Sequence, residues 1–154
     1  MTDYYLDSSA LVKRYIQETG SAWISGLFDP ALHNEIFIAA ITPVEIIAAI
    51  IRRARRGSIV EADALAACNA FRSDLASTYQ IVELTDAVIT RAMSVAETHA
   101  LRGYDAVQLA AALEINSLCV GSGLPSIIFV SADDGLNVVA ARGGLRVENP
   151  NAHP

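Results

Sequence analysis

The chain has 154 residues, of which 53% are hydrophobic and 18% charged; this fits one globular domain with a real core and excludes a disordered chain. Its net charge of −6 excludes nucleic-acid binding through overall charge, although not through a local basic patch. The most apolar segment, Ile36 to Ile51, is 16 residues long and interrupted by Pro43 and Glu45, too short and too broken for a membrane span.

The opening residues carry Asp3 and Asp7 and no apolar core of a secretory signal, so a cytoplasmic location is expected. Cys68 and Cys119 lie far apart in Ala/Leu-rich surroundings and read as buried thiols. His33, His99 and His153 are dispersed; His33 and His153 are expected in solvent and His99 on a helix surface.

In chain order, a first strand is expected over Tyr4 to Asp7, then a helix through Tyr15 and another around Ser21 to Phe28. "EIFIAAIT" (35–42) is a continuous apolar run and reads as a buried strand. "TPVEIIAAIIRRARRGS" reads as a helix with Thr42 as N-cap, Pro43 in the first helical position and Gly57 just past the end. A helix over 58–77 and the strand "YQIVEL" (79–84) follow. Next come helices over 85–101 and 104–118, separated by Arg102 and Gly103, and the strand "SIIFVS" (126–131). A short helix over 132–144 and a last strand "LRVEN" (145–149) close the chain.

Strands separated by one or two helices predict an α/β fold with a parallel sheet covered on both faces. Right-handed crossovers bring all strand C-terminal ends to one edge, where ligands of such sheets bind. The acids at or near these junctions are Asp7, Glu45, Asp86, Asp105, Asp133 and Asp134. Each has a local explanation. An acid in a first helical turn gains about 0.3–1 kcal/mol from the helix dipole; Asp7, Ser9 and Asp133 can serve as N-caps; Thr42 to Glu45 has the form of a capping box. Asp86 needs nothing beyond the first-turn explanation. Taken together, carboxylates converging on one edge repel each other and lose hydration unless a cation offsets them. Hard divalent ions such as Mg²⁺ or Mn²⁺ take carboxylate and water ligands.

On a helical projection Glu45 points away from the middle of the face made by Ile46, Ile47, Ile50 and Ile51. Arg52 and Arg56 lie within about 20° of it, roughly 10 and 16 Å further along the axis. A carboxylate with arginines trailing along the same groove suits a metal and a phosphate backbone, while cations near a helix C-terminus also have a purely local rationale. Arg53 and Arg55 point sideways and fit that local rationale. Asp105 opens a helix that is nearly apolar all round and needs a cap role, a partner or a metal.

These blocks resemble the PIN-domain family, and within it the VapC-type toxins of bacterial toxin–antitoxin pairs. The resemblance rests on "YLDSSALVKRYIQETGS", "TPVEIIAAIIRRARRG", "LRGYDAVQLAAAL" and "FVSADDGLNVVAARGGL", in that order from Tyr4 to Val147. It implies a single PIN-like domain over residues 1–154, a three-layer fold with a parallel sheet of four to five strands flanked by helices, and a Mg²⁺- or Mn²⁺-dependent ribonuclease. By motif it implies Asp7, Glu45, Asp105 and Asp133 as catalytic metal ligands, Asp134 being one residue from exchange with Asp133. Ser9 and Ser131 would support them, with Asn137 beyond; Ser8 has no assignment. Arg52, Arg56 and Lys13, the only lysine, are candidates for RNA-phosphate contacts. The resemblance further implies a cognate VapB-type antitoxin and a homodimer, docked on the apolar helix pairs near the N-terminal half.

Two other sheet-based chemistries fit less well. A response-regulator receiver needs a lysine after a late strand, whereas Lys13 is in the first helix; a haloacid-dehalogenase-type phosphatase wants D-x-D after the first strand, where this chain has "DSS". A catalytically silent RNA- or protein-binding module of the same fold is the alternative from a different class.

Overall fold

The computed structural model describes residues 1–154. Five parallel strands form one sheet in the order β3-β2-β1-β4-β5. They are β1 (Asp3–Leu6), β2 (Glu35–Ala39), β3 (Gln80–Val82), β4 (Ile128–Val130) and β5 (Arg146–Glu148). The helices are α1 (Ser8–Leu11), α2 (Ser21–Gly26), α3 (Thr42–Arg55), α4 (Glu61–Leu75), α5 (Asp86–His99), α6 (Gly103–Gly121) and α7 (Asp134–Arg142). No helix is long and apolar enough to cross a membrane.

The strands alternate their side chains between two cores, as the pleat requires. Leu6, Ile36, Ile38 and Val130 face one core with α1 to α4, and Tyr5, Ala39, Val82 and Phe129 face the other with α5 to α7. This double burial explains the continuous apolar runs. Both cysteines are free and buried.

The chain lays β2 and β3 on one side of β1, then β4 and β5 on the other. The direction of winding therefore reverses between β1 and β4, and a crevice opens outside their C-terminal ends. The register pairs Leu6 with Val130 there, and Asp7 N–H continues the ladder by donating to the Val130 carbonyl at 3.1 Å. The residues just beyond these strands, Asp7 and Ser131 to Asp133, are thus the ones that the topology delivers to the crevice.

Several local expectations are corrected. Strand 35–42 ends at Ala39, because Ile41 is already helical (φ −80°, ψ −22°) and becomes the N-cap of α3. Thr42 makes no cap hydrogen bond; it is fully buried and its hydroxyl accepts from Gln108 Nε2 at 2.9 Å. The capping box is therefore absent, since Gln108 claims the hydroxyl. The first helix tightens into a 3₁₀ turn over Val12–Arg14. His153 is not free in solvent: its ring stacks on Trp23 at 4.3 Å and meets Glu148 at 3.1 Å.

Candidate active site

Asp7 follows β1 as the N-cap of α1. Its Oδ1 accepts from Ala10 N–H at 3.0 Å and from Ser9 Oγ at 2.7 Å, and its Oδ2 accepts from Ser131 Oγ at 2.6 Å. The side chain is buried. Burial pushes its carboxyl up to about 6, against the pull of the three hydrogen bonds, and the Asp105 charge adds to the rise. One carboxylate thus both caps α1 and accepts from the two serines.

The two serines tie the junctions together. Ser9 Oγ accepts from Ala132 N–H at 2.9 Å while donating to Asp7. Ser131, fully buried after β4, accepts from Asp133 N–H at 3.1 Å. Asn137 on α7 donates to the Ser131 carbonyl at 2.8 Å.

Glu45 reaches the crevice from the first turn of α3. Its Oε1 accepts from Gln108 Nε2 at 2.6 Å and its Oε2 from Ser8 Oγ at 3.1 Å. Burial raises its carboxyl, as does the charge of Asp105, while Gln108, Ser8 and Arg52 pull it back. Gln108 is buried on α6; it gives Nε2 to both Thr42 and Glu45, and its Oε1 accepts from Tyr5 OH at 2.7 Å. It locks β1, α3 and α6 together beneath Glu45. Gln108 and Ser8 are the participants that sequence reasoning missed. A lone glutamine inside an otherwise apolar helix was the available signal for the first.

Asp105 stands in the first turn of α6, whose N-cap, Arg102, supplies no side-chain cap bond. Burial and the Asp133 charge raise its carboxyl against the attraction of Arg102. Asp133 is exposed and caps α7, its Oδ1 accepting from Leu136 N–H at 3.0 Å. Asp134, next to it, turns aside to accept from Asn149 Nδ2 at 2.6 Å.

Asp105 is the electrostatic link among these acids: its charge raises Asp7 and Glu45, and it is itself raised by Asp133. Such an edge, acidic and partly desolvated, suits a hard cation. No three His, Cys, Asp or Glu side chains close around a single point. The donor set, all oxygen and loosely spaced, fits an ion that keeps several of its waters, as Mg²⁺ does.

A groove of about 840 Å³ runs from the site along α3, lined by Ser8, Glu45, Arg52, Arg53, Arg56 and Tyr104 among others. Arg52 and Arg56 are exposed in it. Arg53 is ion-paired with Glu18 at 2.7 Å. Lys13 departs from expectation: it is buried, and its ammonium pairs with Glu18 at 3.3 Å. A buried, paired cation has no free face for a phosphate.

The PIN domain family matches residues 4–141. Ribonuclease VapC45 of Mycobacterium tuberculosis (strain CDC 1551 / Oshkosh) is 33% identical over 150 residues, covering 97% of each chain. Among solved structures, VapBC2 from Rickettsia felis bound to a DNA fragment from their promoter superimposes with a TM-score of 0.63 at 14% identity, covering 96% of this chain and 98% of that one. A toxin–antitoxin complex from Klebsiella pneumoniae superimposes with a TM-score of 0.63 at 16% identity, covering 96% and 97%. With a family match over most of its length and a full-length VapC relative, the chain belongs to the PIN-domain family, in its VapC-type branch.

Proposed function

We propose that this protein is a Mg²⁺- or Mn²⁺-dependent endoribonuclease, the toxin of a toxin–antitoxin pair held inactive by a VapB-type antitoxin. The observation that carries the reading is the carboxylate edge of Asp7, Glu45, Asp105 and Asp133 at the winding reversal of a chain 33% identical to Ribonuclease VapC45. These acids would hold the ion directly or through water. Bound there, it supplies Lewis acidity toward the phosphate and lowers the pKa of an attacking water.

The chain's own groups do the positioning. Ser9 and Ser131 fix both oxygens of Asp7, and Gln108 and Ser8 fix those of Glu45. Arg52 and Arg56 offer their guanidiniums to phosphates further along the groove. Lys13 is left out of this role.

The antitoxin docks on a second groove, of about 570 Å³, between α3 and α4, lined by Ile47, Ile51, Ala54 and Leu65 among others. Leu65 is 61% exposed there, and an amphipathic helix laid into such a groove covers apolar anchors of this spacing. The toxin acts as a homodimer in the cytoplasm.

The test is RNA cleavage by the purified, antitoxin-free chain. Cleavage with Mg²⁺ or Mn²⁺, abolished by chelator and by Asp105→Asn, is expected. Absence of cleavage under every metal condition would overturn the reading in favour of a silent binding module.

A further inference from the structure

Of the ten aromatic residues in the chain, Tyr104 alone is exposed, at 49%. The others are buried or half-buried, and seven of them pair ring to ring or carry a stacked histidine or arginine. Tyr104 takes part in no such pair, so its ring has an open face.

Its place is specific. It stands on α6 one residue before Asp105 and lines the same groove as Glu45, Arg52 and Arg56. Its hydroxyl accepts from Arg102 Nη1 at 3.0 Å, which fixes the ring's tip. The Arg102 charge in turn lies close to Asp105 and Asp133. One groove therefore holds an acidic end, an arginine-lined run and, beside the acids, an aromatic ring without a partner.

A protein partner would want a mainly apolar surround for an anchor of this kind. Ile41 and the exposed Val44 do line the groove, but Tyr104 itself stands between Arg102 and Asp105, and Arg52, Arg53 and Arg56 share the lining. Guanidiniums for phosphates and an aromatic face for a base are what a single-stranded nucleic acid uses; stacking one base contributes about 1–3 kcal/mol. Bases of a duplex are already stacked and do not offer that face, whereas unpaired RNA does.

We infer that Tyr104 is a stacking platform for the unpaired base of a nucleotide adjoining the scissile phosphate, and so a positioning residue for the RNA. This rests on the ribonuclease reading, and its test separates the two. The probes are uridylate octamers carrying one 2-aminopurine ribonucleotide, moved position by position, with Ca²⁺ in place of Mg²⁺ to limit cleavage.

The wild-type chain is expected to quench 2-aminopurine at one position, next to the bond cut when Mg²⁺ is supplied. Tyr104→Ala loses the quench and loses about 5- to 150-fold in kcat/KM, mostly through KM, the range that one stacked base supplies. Tyr104→Phe and Tyr104→Trp restore the quench, because the face and not the hydroxyl does the stacking. Thermal unfolding of all three should match wild type, since the side chain is exposed.

Tyr104→Ala with quench and rate intact overturns the inference and leaves the ribonuclease reading standing. So does Tyr104→Phe failing as badly as Tyr104→Ala, or Tyr104→Ala weakening only the antitoxin complex. A wild-type chain that quenches but never cleaves sinks the ribonuclease reading and leaves the stacking.

Discussion

Ser131 donates a 2.6 Å hydrogen bond to Oδ2 of Asp7, joining residues 124 positions apart in the chain. Both are buried, and they stand at the ends of neighbouring strands β4 and β1. The bond stabilises the ionised form of a carboxylate that burial pushes the other way. Removing it in Ser131→Ala should raise the Asp7 carboxyl further. Above pH 6, where Asp7 is ionised, the variant should lose about 1–3 kcal/mol, the range for a lost hydrogen bond to a buried charge. At pH 4 the deficit should shrink, since Asp7 is then protonated. Urea unfolding at both pH values checks this; an equal deficit at both would show that Ser131 acts through contacts independent of the Asp7 charge, such as the bond it accepts from Asp133 N–H.

Asp7 also sets a pH dependence of the fold. Its carboxyl is raised from 3.8 to about 6 in the native state. Between these values the folded chain binds more protons than the unfolded one, so stability falls as pH rises. The stability is complete below about pH 4 and is lost through about pH 6. At about 1.4 kcal/mol per pH unit between the two values, the ionised carboxylate costs the fold about 3 kcal/mol at neutral pH. Asp7→Asn should therefore be more stable than wild type at pH 7, by about 1–3 kcal/mol, and inactive as a ribonuclease. Its Oδ1 can still accept from Ala10 N–H, so the cap of α1 is kept. A melting midpoint at pH 7 below that of wild type would contradict this origin of the strain.

Gln108 supports Glu45 from below, and its loss should separate support from charge. Gln108→Leu keeps the volume but strands the hydroxyl of Tyr5 and frees Oε1 of Glu45. A cost of about 1–3 kcal/mol is expected from the unpaired buried hydroxyl, together with a fall in cleavage rate. Gln108→Glu is expected to be worse, because it sets a second carboxylate against Glu45. Chemical denaturation and cleavage rates of the two variants check the order; Gln108→Glu equal to wild type would show that Glu45 needs no amide donor.

The strands were legible because burial on both faces leaves continuous apolar runs such as "FIAAI" and "IIFV". Asp7 and Asp133 were legible because acids ending such runs fall at one sheet edge. What could not be read is long-range pairing. Ser8 looks like any turn serine until α3 brings Glu45 to it from 37 positions away. Thr42 has the ideal type for an N-cap, yet the chain turns helical one residue earlier and the hydroxyl meets Gln108 from α6. Lys13 has the type of a free phosphate-binding cation, but the irregular segment between the 3₁₀ turn over Val12–Arg14 and α2 brings Glu18 back onto its ammonium. Local propensity yields the elements; which side chain a hydroxyl or ammonium meets is a property of the assembled layers.

Adjacent aspartates at the start of α7 give the sharpest test of the site. Asp133 lies within electrostatic reach of Asp105, whereas Asp134 accepts from Asn149. Asp133→Asn keeps an Oδ1 that can cap Leu136 N–H and removes only the charge. It should leave unfolding within about 0.5 kcal/mol of wild type while lowering metal-dependent cleavage at least about tenfold, as expected for loss of one ligand to the ion. Asp134→Asn should cleave like wild type, because its carboxylate is engaged by Asn149. If instead Asp134→Asn lost cleavage and Asp133→Asn kept it, the fourth carboxylate of the site would be Asp134, and α7 would have to turn on binding the ion to present it.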